Sequence, residues 1–182
     1  MEINVRPQVL ADTDRVWDLL VAAFGDGGRT ARLAEALLDG PSRIALVAED
    51  GEGEIVGHVQ LSLSWLDADE RLVDDVLVLS PIGVAPDRQR QGVGRQLVTS
   101  ALAEAERRGA PLVWLEGEPT YYPEFGFVRG AERGFRPPSA RIPNEAFLVS
   151  TLSAWQPWMV GSLVYPDVFW QHDSVGPGRH TG

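Results

Sequence analysis

The chain has 182 residues, 44% of them hydrophobic and 23% charged, which suits one soluble globular domain with a real core. The net charge of -10 speaks against non-specific nucleic-acid binding. It serves solubility first and would also draw a cationic partner such as an amine.

Cysteine is absent, so disulfides, thiolate metal sites and an acyl-cysteine intermediate are excluded. Lysine is absent too, which removes a Schiff-base lysine and a P-loop lysine. No apolar run approaches the ~20 residues of a membrane span. The first residues lack the basic and apolar regions of a signal peptide, so the cytoplasm is the expected location.

Residues 3–9 read as a first strand. Asp12 is placed to cap a helix running to Phe24, with Val16, Leu19, Leu20, Ala23 and Phe24 on one face. A second helix spans residues 30–38, with Leu33 and Leu37 inward, and stops at Asp39-Gly40-Pro41. The period then changes to two. Residues 44–49 and 55–64 form a hairpin across Asp50-Gly51-Glu52-Gly53. In its second strand Ile55, Gly57, Val59, Leu61 and Leu63 alternate with Val56, His58, Gln60, Ser62 and Ser64. That pattern predicts one apolar and one polar face. Residues 66–71 read as an acidic loop. Residues 72–84 form a long strand interrupted at Ser80-Pro81. A helix over residues 92–108 follows, then a strand at 112–115, a short helix at 119–124, a strand from Gly126 and a last one at 146–152.

This order predicts a mixed α/β (α+β) fold, with a mostly antiparallel sheet of six to seven strands flanked by helices. Residues 1–152 form the domain. Residues 153–175 form an aromatic-rich extension carrying Trp155, Trp158, Tyr165, Phe169 and Trp170, and residues 176–182 a frayed tail. The aromatics are expected to pack over the sheet; walling an acceptor pocket and forming a homodimer contact are the other uses of such residues.

The segment from Pro81 to Arg95 carries the chemistry. It is a strand end, an Arg/Gln/Gly loop and a helix start. Unpaired N–H groups and the partial positive charge of a helix N-terminus bind phosphate oxygens. Arg88, Arg90 and Arg95 add positive field in an acidic chain. Spacing alone leaves open a plain strand–helix turn with solvated arginines. A Rossmann fingerprint fails because Leu97 stands where a third glycine is needed, and a Walker loop fails without lysine. The three histidines are scattered, so no metal site is expected. There is no Gly-x-Ser-x-Gly elbow, and the Asp67, Asp69, Glu70, Asp74 and Asp75 cluster lacks EF-hand spacing.

Val84-Ala85-Pro86 followed by Gln89-x-x-Gly92-x-Gly94 resembles the acetyl-CoA signature of the GNAT superfamily of N-acetyltransferases. Tyr121-Tyr122-Pro123-Glu124-Phe125-Gly126-Phe127 is similar to a second element of that family. The Leu115-Glu116-Gly117-Glu118-Pro119 approach resembles its YhbS-like group. The likeness covers most of the chain.

It implies a sheet splayed between its two central strands and an acyl-CoA-dependent N-acetyltransferase that moves an acetyl group to an amine without an acyl-enzyme. Acetyl-CoA would be the co-substrate, without a metal. Ile82, Gly83 and Val84 would pair with the pantetheine arm, with an oxyanion contact near Gly83 or Val84. Gln89, Arg90, Gln91, Gly92, Val93, Gly94 and Arg95 would cradle the pyrophosphate. Tyr122 would be the general acid, and Glu116 is the candidate base, with Glu118, His58 and Gln60 as neighbours of the expected site. A small molecule or peptide amine is the expected partner, with neither nucleic acid nor membrane. A non-catalytic acyl-CoA-binding module of the same fold is the alternative, and an unrelated nucleotide-binding domain is a third reading.

Overall fold

The computed structural model describes residues 2–69 and 71–177. The chain runs β1 (Ile3–Pro7), α1 (Thr13–Phe24), α2 (Arg29–Leu38), β2 (Ser42–Asp50), β3 (Ile55–Ala68), β4 (Arg71–Val84), α3 (Val93–Arg107), β5 (Leu112–Glu116), β6 (Val128–Arg129), β7 (Phe147–Thr151), β8 (Ser162–Val164) and α4 (Asp167–Gln171). The sheet order is β1-β2-β3-β4-β5-β7-β6, with β8 also paired to β3. β1–β2, β2–β3, β3–β8, β5–β7 and β6–β7 are antiparallel, and β4–β5 is parallel. β4 meets β5 at Leu77↔Val113 and Val78↔Trp114. Among the described residues, the β4–β5 register consists of these two pairs. The mixed α/β fold is the expected one, and the sheet holds eight strands because the C-terminal segment supplies β8.

Two compact units divide the chain. One comprises residues 1–62 and 79–104, the other residues 63–78 and 105–182.

In the first unit, α1 buries Val16, Leu19 and Leu20, and α2 buries Ala31, Leu33, Ala34 and Leu37. Phe24 is 45% exposed. Asp12 does not cap α1 with its side chain. Its carboxylate receives two bonds from Arg6 (2.6 and 3.0 Å) and one from the Val9 N–H (2.8 Å). Arg6 also donates to Glu49 on β2 at 2.5 Å, so the acid that ends the first loop is committed to a strand ion pair. Two glycines set how near the helices come. A Cβ on Gly57 of β3 would lie 2.9 Å from Val93 and 2.8 Å from Leu97 of α3. A Cβ on Gly83 of β4 would lie 2.9 Å from Leu20 of α1.

The expected polar face of β3 is buried instead of solvated. His58, Gln60 and Ser62 are fully covered. The His58 Nε2–H donates to Gln8 at 3.0 Å, and Gln60 donates to the Ala34 carbonyl of α2 at 3.4 Å. His58 Nδ1, Gln60 Oε1 and Ser62 Oγ have no partner among the described residues. The reason is layering: α2 reaches this row, while α3 rests on the Gly57 face, so neither face meets water. Alternation marks a strand but not the solvation of its polar face.

In the second unit, β5 pairs with β7 from Leu112↔Thr151 to Glu116↔Phe147. β6 is only two residues long. The expected acidic loop at 66–71 is much shorter, because β3 reaches Ala68 and β4 starts at Arg71. Trp114 is fully buried, edge-on to Phe147 and 4.5 Å from Tyr165, which stacks on Phe169 at 4.3 Å. The Trp114 indole donates to Ser64, which donates to the Val164 carbonyl. Tyr165 and Phe169 therefore pack as expected, while Trp158 and Trp170 stay partly exposed. Gly176, in the expected tail, is bonded through its N–H to Glu116. Residues 178–182 lie outside the described residues.

Two predictions arise from the first unit. Gly57→Ala should lose about 1–3 kcal/mol by overpacking, read as a lower midpoint in urea. Burial pushes the His58 pKa down to about 4. The unfolded chain takes up this proton near pH 6.5 and the folded chain does not. Stability should therefore fall as pH drops from ~6.5 to ~4, by about 3 kcal/mol from this group. Urea midpoints across that range should slope less steeply in His58→Gln; parallel slopes would remove the assignment.

Candidate functional site

The loop that joins β4 to α3 belongs to the first unit. A 3-10 turn at Pro86–Arg88 follows the strand, closed by the Arg88 N–H on the Ala85 carbonyl at 2.8 Å. Arg90 and Gly92 then adopt left-handed backbone, with φ of 60° and 88°. Glycine takes this conformation freely, whereas it costs an arginine about 1–2 kcal/mol. Gln91 donates to the Asp87 carbonyl at 2.8 Å and Gln89 to the Val84 carbonyl at 3.2 Å, so the two glutamine side chains bind back and hold the loop. Gln96 makes the first helical bond, to the Gly92 carbonyl. Val93 and Gly94 begin the first turn of α3, the part of a helix whose backbone N–H groups have no intrahelical partner. Val93 is buried against the Gly57 face, which fixes that turn on β3. A Cβ at Gly92 would meet nothing within 4 Å, so the backbone there faces open space.

Arg88 departs from the expected role. It pairs with Asp87 at 3.3 Å and Asp50 at 3.6 Å, so its charge is offset within the unit. Behind the loop, the Ala85 N–H bonds the Val56 carbonyl at 3.0 Å, tying the end of β4 to β3.

Tyr122 and Glu116 belong to the second unit. β5 ends at Glu116, and a 3-10 turn covers Tyr122–Phe125. The Tyr122 ring is buried at 8% exposure. Tyr121 stands perpendicular to it at 5.0 Å and Phe127 edge-on at 5.6 Å. Burial pushes the Tyr122 pKa up to about 12, so the phenol keeps its proton at neutral pH.

Glu116 accepts the Tyr165 O–H at 2.6 Å and the Gly176 N–H at 3.0 Å. Burial raises its pKa, against the lowering effect of these two bonds. The structure therefore brings Glu116 together with two residues of the C-terminal segment that sequence reading did not connect to it. Their partners lie 49 and 60 positions away, and no local pattern signals them.

Of the other candidates, His58 and Gln60 sit in the buried row of β3. Glu118 holds the turn before Tyr122 by accepting the N–H and hydroxyl of Thr120. Asp67, Asp69, Asp74 and Asp75 are exposed, and Asp69 pairs with Arg136 at 3.3 Å. Among the described residues no cluster of three or more His, Cys, Asp or Glu could hold a metal, and no helix is long and apolar enough to cross a membrane.

The chain resembles proteins whose architecture is known. The profile of the acetyltransferase (GNAT) family matches residues 13–128. The uncharacterized N-acetyltransferase YjhQ of Escherichia coli K12 is 28% identical over 160 residues, which cover 84% of this chain and 86% of that protein. The uncharacterized N-acetyltransferase YhbS of the same strain is 26% identical over 140 residues, covering 72% of this chain and 77% of that protein. The crystal structure of the Escherichia coli YhbS protein in complex with CoA superposes with a TM-score of 0.86 at 26% identity, over 98% of this chain and 97% of that one. A GNAT family acetyltransferase from Brucella melitensis, solved with acetyl-CoA, shares the fold with a TM-score of 0.74 at 24% identity, over 92% of this chain and 98% of that one. With the loop geometry and the sheet order, these matches make the chain a member of the acetyltransferase (GNAT) family and an N-acetyltransferase.

Proposed function

We propose that the chain moves an acetyl group from acetyl-CoA to a primary amine by direct attack in a ternary complex. The observation that carries this reading is the loop backbone, left-handed at Arg90 and Gly92 directly before the first turn of α3. Successive N–H groups in such a turn make an anion-binding concavity, and the helix N-terminus adds a partial positive charge. The open space at Gly92 fits a pyrophosphate on the N–H groups of Gln89, Arg90, Gln91, Gly92, Val93, Gly94 and Arg95. Ile82, Gly83 and Val84 lie in β4 beyond its register with β5, which is Leu77↔Val113 and Val78↔Trp114. Their backbone is the proposed partner of the pantetheine arm, with one N–H polarising the acyl carbonyl.

Tyr122 is the proposed donor to the leaving thiolate. With the phenol at about 12 and a free thiol at about 8.5, complete proton transfer would run uphill by roughly 5 kcal/mol. The hydroxyl therefore serves as a hydrogen-bond donor to charge as it develops, and the surplus proton of the amine finally neutralises the thiolate. Glu116 is the proposed base, because burial moves its pKa toward the working range of a base. The same carboxylate also anchors Tyr165 and Gly176.

Three outcomes test this reading. Thiol release from acetyl-CoA, measured across polyamines, amino sugars, amino acids and peptide amines, should identify an acceptor. CoA binding with no release from any amine would point to the non-catalytic module. Tyr122→Phe should lower kcat by about 10²-fold or more while CoA affinity stays within about two-fold; normal turnover would remove Tyr122 from the reaction. Glu116→Gln keeps a hydrogen-bond acceptor at the anchor and removes the titratable group. A base predicts a similar loss in kcat at an unchanged melting temperature, and retained kcat would leave Glu116 the anchoring role alone.

A further inference from the structure

Between β5 and the 3-10 turn the chain passes through Gly117. Its N–H bonds the Ala146 carbonyl at 2.9 Å, which fixes the backbone as a continuation of the strand pair. A Cβ on Gly117 would lie 2.5 Å from Cε2 and 3.1 Å from Cδ2 of the Tyr122 ring, and 2.8 Å from Cδ1 of Leu115. Gly117 does not belong to the left-handed glycines of this chain. What the position demands is therefore space and not a special dihedral angle. Tyr121 and Phe127 pack edge-on against the same ring at 5.0 and 5.6 Å, so a shift of the ring disturbs two further aromatic contacts. Cε2 is bonded to the carbon that carries the hydroxyl, so pressure there displaces the hydroxyl directly.

We propose that Gly117 is a positioning residue for Tyr122, a wall with no clearance that sets where the phenol oxygen sits. The inference rests on the reading of Tyr122 as the donor to the leaving thiolate. A methyl group at Gly117 needs the ring to move by about 1 Å to restore ordinary contact. A displacement of about 1 Å in a reacting group can cost on the order of 10²-fold in rate.

The test is Gly117→Ala, made in the full chain and again in a Tyr122→Phe background. Turnover is measured with acetyl-CoA and the panel amine of highest activity, alongside CoA affinity and melting temperature. In the otherwise unchanged chain, kcat should fall ~10- to 100-fold with KM for acetyl-CoA within about two-fold. In the Tyr122→Phe background the same change should cost less than about two-fold, because the hydroxyl it misplaces is already gone. Equal fold-losses in both backgrounds, or full activity of Gly117→Ala, would overturn the proposal. Normal turnover of Tyr122→Phe alone would instead overturn the donor reading on which it rests. If Gly117→Ala does not fold, Gly117→Ala/Tyr122→Leu decides: recovery of the fold supports the steric seat, and continued unfolding overturns it.

Discussion

Contact distance between helix and strand governs the first unit. At Gly57 the first turn of α3 lies so close to β3 that a single methyl would collide with Val93 and Leu97. At Gly83 the leucines of α1 press on β4 in the same way. Interiors are packed to crystal density, so a clearance of this kind fixes position more tightly than a broad apolar face can. The loop between Val84 and Val93 takes its shape from those two anchored ends. Its left-handed residues and its back-bonded glutamines then hold the curve between them.

Much of this was legible in the sequence because it is local. The loop is announced by Gln89, Gly92 and Gly94 within six residues, and the helix after it by the stripe of Val93, Leu97, Ala101, Leu102 and Ala105, all buried except Leu102, which is half-buried. The order of strands and helices also followed from periodicity. What failed to show was the solvation of faces and the pairing of distant residues. The alternation in β3 is real, but the row containing His58, Gln60 and Ser62 is roofed by helix, which no window of ten residues reveals. β8 is three residues long and finds its partner about a hundred positions earlier, so it carries almost no local signal.

The candidate site divides along the same line. Tyr122 was singled out by the likeness of Tyr121-Tyr122-Pro123-Glu124-Phe125-Gly126-Phe127 to a GNAT element, and its ring is buried. The role of Gly117 was not legible, since a glycine chosen for clearance looks like any other loop glycine until the ring beside it is placed. Glu116 was singled out by its position after a buried strand. Its bonds to Tyr165 and Gly176 depend on a segment that sequence reading treated as an appendage. That segment is part of the second unit, through β8, the Trp114–Tyr165–Phe169 stack and the Glu116 carboxylate.

The covered polar row of β3 also bears on how the strand finds its correct alignment. A strand buried on both sides gains little register information from hydrophobicity alone, since either face would be content in the core. Here the two faces are not interchangeable. A slip by one residue would turn Val59 and Leu61 toward the Gln8 and Ala34 partners. It would also press His58 or Val56 onto α3, where only Gly57 leaves room. Polar groups that cost stability in the aligned strand thus make every misaligned strand worse, and β3 is keyed to one alignment.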